Sequence, residues 1–120
     1  MSSLLLIDGD RNFREALAIA LRLEGCRVAA TEDAVFGRLA LSAGRYDVCV
    51  VDLNVSEAER LLDEASSGHV KVLLTGPHED LLAKAAHRHP RVRVLPKPFQ
   101  AAELLAQLQA LVPATAQAGR

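Results

Sequence analysis

Apolar residues in this chain fall into short unbroken runs, separated by longer stretches where they recur every three or four positions. The first run, residues 4–7, is closed by Asp8. Between residues 12 and 24, Phe13, Leu17, Ala20 and Leu21 share one helical face, and Gly25 ends the helix. Residues 26–30 read as a second strand. Thr31 is placed to cap a helix carrying Ala34, Phe36, Leu39 and Ala43, with Gly44 as its stop. Residues 46–51 form a third strand, closed by Asp52. Ser56 and Glu59 then read as a capping box for a helix ending near Gly68. Residues 70–74 form a fourth strand, closed by Thr75 and Gly76. A helix over residues 78–87 is ended by Pro90, and residues 92–95 form a fifth strand. Pro98 and Phe99 lead into a last helix with Leu104, Leu105, Leu108 and Leu111 on one face.

Strands alternating with helices from end to end predict an α/β domain with one parallel sheet, covered on both faces because its strands are continuously aliphatic. Periodicity does not give the strand order. With 120 residues the chain has the length of one domain. That domain is expected over residues 1–113, with 114–120 as a linker or disordered tail.

Composition narrows the function classes. Half the residues are hydrophobic, yet only Phe13, Phe36, Tyr46 and Phe99 are aromatic. The core must be aliphatic, and a base-stacking platform for single-stranded nucleic acid is excluded. A net charge of -1 excludes a broadly basic surface for nucleic acid or membranes. Cys26 and Cys49 lie in apolar runs without zinc-ligand spacing and read as buried, reduced thiols. The apolar run at the N-terminus is too short for a signal peptide or a membrane span, so a cytoplasmic protein is expected.

Ligands of open parallel sheets bind beyond the carboxyl ends of the strands. The residues there are Asp8, Asp52, Thr75 and, past the fifth strand, Lys97. Taken singly, each is an ordinary turn former, cap or solvated side chain. Together they are a kit for a phosphoryl group and a hard cation. The carboxylates suit Mg²⁺, hydroxyl and ammonium suit phosphoryl oxygens, and one carboxylate can serve as nucleophile.

The sequence resembles the receiver domain of response regulators in bacterial two-component signalling, over residues 4–112. The motifs carrying the resemblance are Leu4-Leu5-Leu6-Ile7-Asp8 with Arg14, Tyr46-Asp47-Val48-Cys49-Val50-Val51-Asp52, Val72-Leu73-Leu74-Thr75-Gly76, and Pro96-Lys97-Pro98-Phe99. The resemblance implies a three-layer, flavodoxin-like sheet of order 2-1-3-4-5. It implies that Asp52 accepts a phosphoryl group from a histidine kinase or phosphotransfer protein. It further implies that Thr75 and Lys97 contact the phosphoryl oxygens, that Lys97-Pro98 is a cis peptide, and that Asp8, Asp52 and the Asn54 backbone carbonyl hold Mg²⁺. Implied partners are an output domain or effector protein and a second copy of the chain, with no direct contact to membrane or nucleic acid.

Three departures stand out. Receivers usually carry a second acidic residue where this chain has Gly9; Asp10, one position on, is a further candidate ligand, and weakened Mg²⁺ binding is expected. The stretch from Asp52 to Thr75 is short by roughly two helical turns. Val94 stands where many members place a switch Tyr or Phe. A degenerate receiver working by phosphorylation-independent protein contacts is therefore the alternative reading.

A more distant alternative takes Asp8-Gly9-Asp10 as the opening of an aspartate-nucleophile phosphatase. The chain has no room for a cap, and no acidic pair follows Lys97, which weigh against it. A dinucleotide-binding domain lacks its glycine-rich turn. The basic run His87, Arg88, His89, Arg91 and Arg93 reads as a solvated surface or, through Arg88, Arg91 and Arg93, as a contact for an acidic partner.

Overall fold

The computed structural model describes residues 2–43, 46–65 and 70–112. The strands are β1 (Ser3–Ile7), β2 (Arg27–Thr31), β3 (Val48–Asp52), β4 (Lys71–Gly76) and β5 (Arg93–Pro96). The helices are α1 (Arg11–Leu23), α2 (Ala34–Ala43), α3 (Ala58–Ala65), α4 (Glu79–Arg88) and α5 (Ala101–Leu111). All neighbouring strands pair in parallel, in the order β2-β1-β3-β4-β5. This is the expected three-layer fold. The proposed helix stops Gly44 and Gly68, the boundary at Pro113 and the tail 114–120 lie outside the described residues.

Successive residues of a strand point to opposite faces, so each apolar run feeds two cores. Leu4, Leu6, Val48, Val50 and Leu73 pack with Leu17, Leu21, Leu104 and Leu108 of α1 and α5. Leu5, Ile7, Cys49, Val51 and Leu74 pack with Ala34, Leu61, Leu62, Leu82 and Ala85 of α2, α3 and α4. Cys49 is fully buried, and that burial pushes its thiol pKa up to about 12. Cys26 departs from expectation: it precedes β2 and is only half-buried.

Helix starts are where local signals misled. Thr31 ends β2, and its carbonyl accepts from the Asp8 N–H at 3.1 Å. The cap of α2 is Asp33, whose Oδ1 accepts from the Phe36 N–H at 2.7 Å. Helix α3 begins at Ala58, after Glu57 with φ 64°, so Ser56 and Glu59 are not in capping-box register. Glu59 instead pairs with Arg88 of α4. The chain does build a box at α5, where the Gln100 N–H donates to Glu103 Oε1 at 2.9 Å. Gly25, with φ 93°, ends α1 as its position suggests.

Helix α2 also turns differently from its apolar spacing. Phe36 and Leu39 are 60% and 62% exposed, while Ala34 is buried. Gly37 explains the turn. A Cβ there would lie 3.2 Å from Ile7 Cγ1 and collide with Ile7 Cδ1, so the helix seats its smallest residue on the sheet.

Gly37→Ala should therefore lower stability by about 1 kcal/mol despite better helix propensity, because overpacking outweighs that gain. Asp33→Ala should cost about 1 kcal/mol through the lost cap, whereas Thr31→Val in the strand should change stability by less than about 0.5 kcal/mol. Urea unfolding of the three variants checks both.

Candidate functional site

Register brings the strand ends together. Asp52, the last residue of β3, lies opposite Thr75 of β4, and Gly76 lies opposite Pro96 of β5. The Leu53 N–H donates to the Thr75 carbonyl at 2.9 Å, and the Lys97 N–H donates to the Gly76 carbonyl at 2.8 Å. These bonds carry the ladder one residue past each strand and hold Lys97 at the rim. The Lys97–Pro98 peptide is cis. Asp8 follows β1, with its carbonyl accepting from Arg14 Nη1 at 2.8 Å.

Asp8, Asp52 and Thr75 are nearly inaccessible, at 1%, 6% and 1% exposure. Buried carboxylates need partners, and every one of these four oxygens has one. Asp8 Oδ1 accepts from the Asp10 N–H at 2.9 Å, and Asp52 Oδ1 accepts from the Asn54 N–H at 2.8 Å. Lys97 Nζ donates to Asp8 Oδ2 at 2.8 Å and to Asp52 Oδ2 at 2.9 Å. Burial alone would lower the Lys97 pKa. Hydrogen bonds to Asp52 and Asp8, with the charges of both, outweigh it and raise the pKa above the ordinary lysine value.

The structure thus gathers Asp8, Asp52, Thr75 and Lys97 at one rim. Two carboxylates converging on one ammonium show that they can share a cation. That donor chemistry fits Mg²⁺, which commonly takes one or two carboxylates plus waters and phosphate oxygens. Asp10 adds no ligand in this arrangement. It caps α1, with its Oδ1 accepting from the Phe13 N–H at 3.1 Å. Gly9 supplies no side chain. Among the described residues, no group of three or more His, Cys, Asp or Glu side chains could hold a metal.

Val94, paired with Leu74, packs against the core on the α2–α4 face. The basic run divides. Arg88 pairs with Glu59 of α3, His89 Nε2 lies 3.7 Å from Asp63 of α3, and Arg93 Nε donates to Gln107 of α5 at 3.0 Å. Arg91 is exposed beyond α4. Arg88 and Arg93 therefore serve different helix contacts.

Spacing along the chain did not reveal Phe13. Its ring lies 4.4 Å from Lys97 Nζ and meets Phe99 edge-on, with centroids 5.4 Å apart. In the sequence it looks like any core position of α1.

No protein-family model and no curated protein sequence matches the chain. Solved structures do. The chemotaxis response regulator CheY4 of Vibrio cholerae is 19% identical with a TM-score of 0.83, covering 92% of this chain and 98% of that one. The signal receiver domain of an HD domain-containing protein from Pseudomonas fluorescens is 20% identical with a TM-score of 0.84, covering 94% and 95%. A CheY-like receiver domain from Methylobacillus flagellatus is 20% identical with a TM-score of 0.81, covering 92% and 98%. At such identities the likeness speaks for architecture, and on that ground this chain has the fold of a response-regulator receiver domain.

Proposed function

We propose that the chain is a phosphoacceptor receiver that takes a phosphoryl group onto Asp52 and signals through protein contacts. The observation that carries this reading is the convergence of Asp52, Asp8, Thr75 and Lys97 on one buried rim. A carboxylate oxygen of Asp52 attacks the phosphorus of a phosphohistidine in a kinase or phosphotransfer protein. The new P–O bond forms as the P–N bond breaks, and the imidazole leaves and takes up a proton. The Lys97 ammonium and the Thr75 hydroxyl receive the charge that gathers on the phosphoryl oxygens. Asp8 would be the second carboxylate for Mg²⁺, and the Asn54 carbonyl, on the residue whose N–H holds Asp52, would be the third donor. When bound, the cation supplies neutralising charge between carboxylates and phosphoryl group.

The output is a separate effector, a second copy or a domain on the same chain, as in the HD domain-containing protein of Pseudomonas. Arg91 and Arg93 lie on the exposed surface beyond α4, and an acidic partner docking there would meet their positive charge. No helix among the described residues is long and apolar enough to cross a membrane.

One observation favours a second reading. All four oxygens of Asp8 and Asp52 have hydrogen-bond partners within the protein, so their hydrogen bonding needs neither metal nor phosphoryl group. A degenerate receiver acting by constitutive contacts fits this equally.

Incubation with acetyl phosphate and Mg²⁺, followed by intact-mass analysis, separates the readings. Wild type should gain the mass of one phosphoryl group and Asp52→Asn none, with Thr75→Ala slowed by roughly one to two orders of magnitude. An unmodified wild type supports the degenerate receiver. Modification lost in Asp8→Asn but kept in Asp52→Asn supports the phosphatase-like chemistry.

A further inference from the structure

The Lys97 ammonium has a third attractive neighbour besides the two carboxylates. The Phe13 ring lies beneath it at 4.4 Å. Both the backbone and the ring of Phe13 are held. Its backbone N–H is tied to Asp10 Oδ1 at 3.1 Å in the first turn of α1, and Phe99 packs edge-on against it with an interplanar angle of 84°. Phe99 follows directly on Pro98, so the segment that presents the ammonium also presents the brace for the ring beneath it.

Among the described residues, the ammonium's hydrogen bonds go to Asp8 and Asp52. A Cβ on Gly9 would meet no atom within 4 Å, and the Asp10 carboxylate is turned to the helix cap. A quadrupolar ring face attracts a cation most strongly where water is scarce, and the Lys97 side chain is only 18% exposed. The ammonium occupies Asp8 Oδ2 and Asp52 Oδ2, so a divalent ion drawn to the same carboxylates would meet its positive charge. Two cations cannot share them without strong repulsion.

We propose that Phe13, braced by Phe99, is a positioning residue that keeps the Lys97 ammonium on Asp8 and Asp52. A divalent ion at these carboxylates would compete with an ammonium that the ring holds in place. The inference rests on the reading of these carboxylates as a cation site but requires no phosphoryl transfer. Its test uses no phosphodonor, so its failure is distinct from failure of phosphorylation at Asp52.

The test is Mg²⁺ titration of the full chain, followed by amide shifts of Asp10 and Asn54, for wild type, Lys97→Gln, Phe13→Leu and Phe13→Tyr. Lys97→Gln should bind Mg²⁺ at least about tenfold more tightly, since two charge-assisted hydrogen bonds no longer oppose it. Phe13→Leu keeps an apolar side chain but removes the ring face, and should bind roughly two- to fivefold more tightly. Phe13→Tyr keeps the face and should stay within about twofold of wild type. Affinity unchanged or weakened in Lys97→Gln or Phe13→Leu overturns the proposal, as does Phe13→Tyr behaving like Phe13→Leu. Should Phe13→Leu lose its cooperative thermal transition, Phe99→Leu takes its place, with tighter Mg²⁺ binding expected and unchanged affinity counting against the idea.

Discussion

One ammonium holds the rim of this domain together. Lys97 lies beyond β5, Asp52 at the end of β3 and Asp8 beyond β1, and Nζ reaches both carboxylates within 2.9 Å. Two unit charges of like sign 4 Å apart repel by about 4 kcal/mol at an effective dielectric near 20. Two buried aspartates side by side would thus oppose the packing of the strands that carry them. A buried ion cluster seldom adds net stability, because desolvation offsets most of the attraction. What the ammonium secures is geometry: it fixes which carboxylate oxygens face inward and leaves the other two for backbone N–H groups.

The distribution of core residues makes this rim possible. Every apolar run serves two faces of the sheet, so the chain must change character abruptly where a strand leaves the core. Asp8, Asp52 and Thr75 mark those exits, which is why they were legible from the sequence: the polar residue that ends an aliphatic run is visible without a structure. Element order was legible for the same reason. The start of α2 was not, because Thr31 and Asp33 are both good caps. The choice depends on how far β2 stays paired with β1, and the Asp8 N–H bonded to the Thr31 carbonyl draws Thr31 into the strand. The face of α2 was misread because apolar spacing pointed to Phe36 and Leu39, whereas closeness to Ile7 demanded Gly37. Steric contact with another element is not written in the periodicity of a helix.

The short third helix shows how a trimmed element is kept in place. Helix α3 has eight residues, and Leu61 and Leu62 are fully buried. It is also tied on both sides. Arg38 of α2 meets Glu64 at 2.7 Å, while Arg88 and His89, at the end of α4, meet Glu59 and Asp63. Exposed pairs of this kind are each worth less than about 1 kcal/mol, so the buried leucines carry the stability and the charges set orientation. Part of the basic run is spent here, which a linear reading of charge along the sequence could not show.

Gly9, Val94 and Phe13 belong to one physical argument. An acidic residue at position 9 would add negative charge to a site that already carries two buried carboxylates and one ammonium. With glycine there, a single lysine suffices to satisfy the remaining carboxylate oxygens. The structure places an aromatic on the ammonium and none at position 94. In this chain the aromatic at the rim therefore lies against a charged group, the Lys97 ammonium. A second cation drawn to this site must compete with Lys97 for the oxygens of Asp8 and Asp52, whereas an anionic group meets the ammonium as an attractive partner.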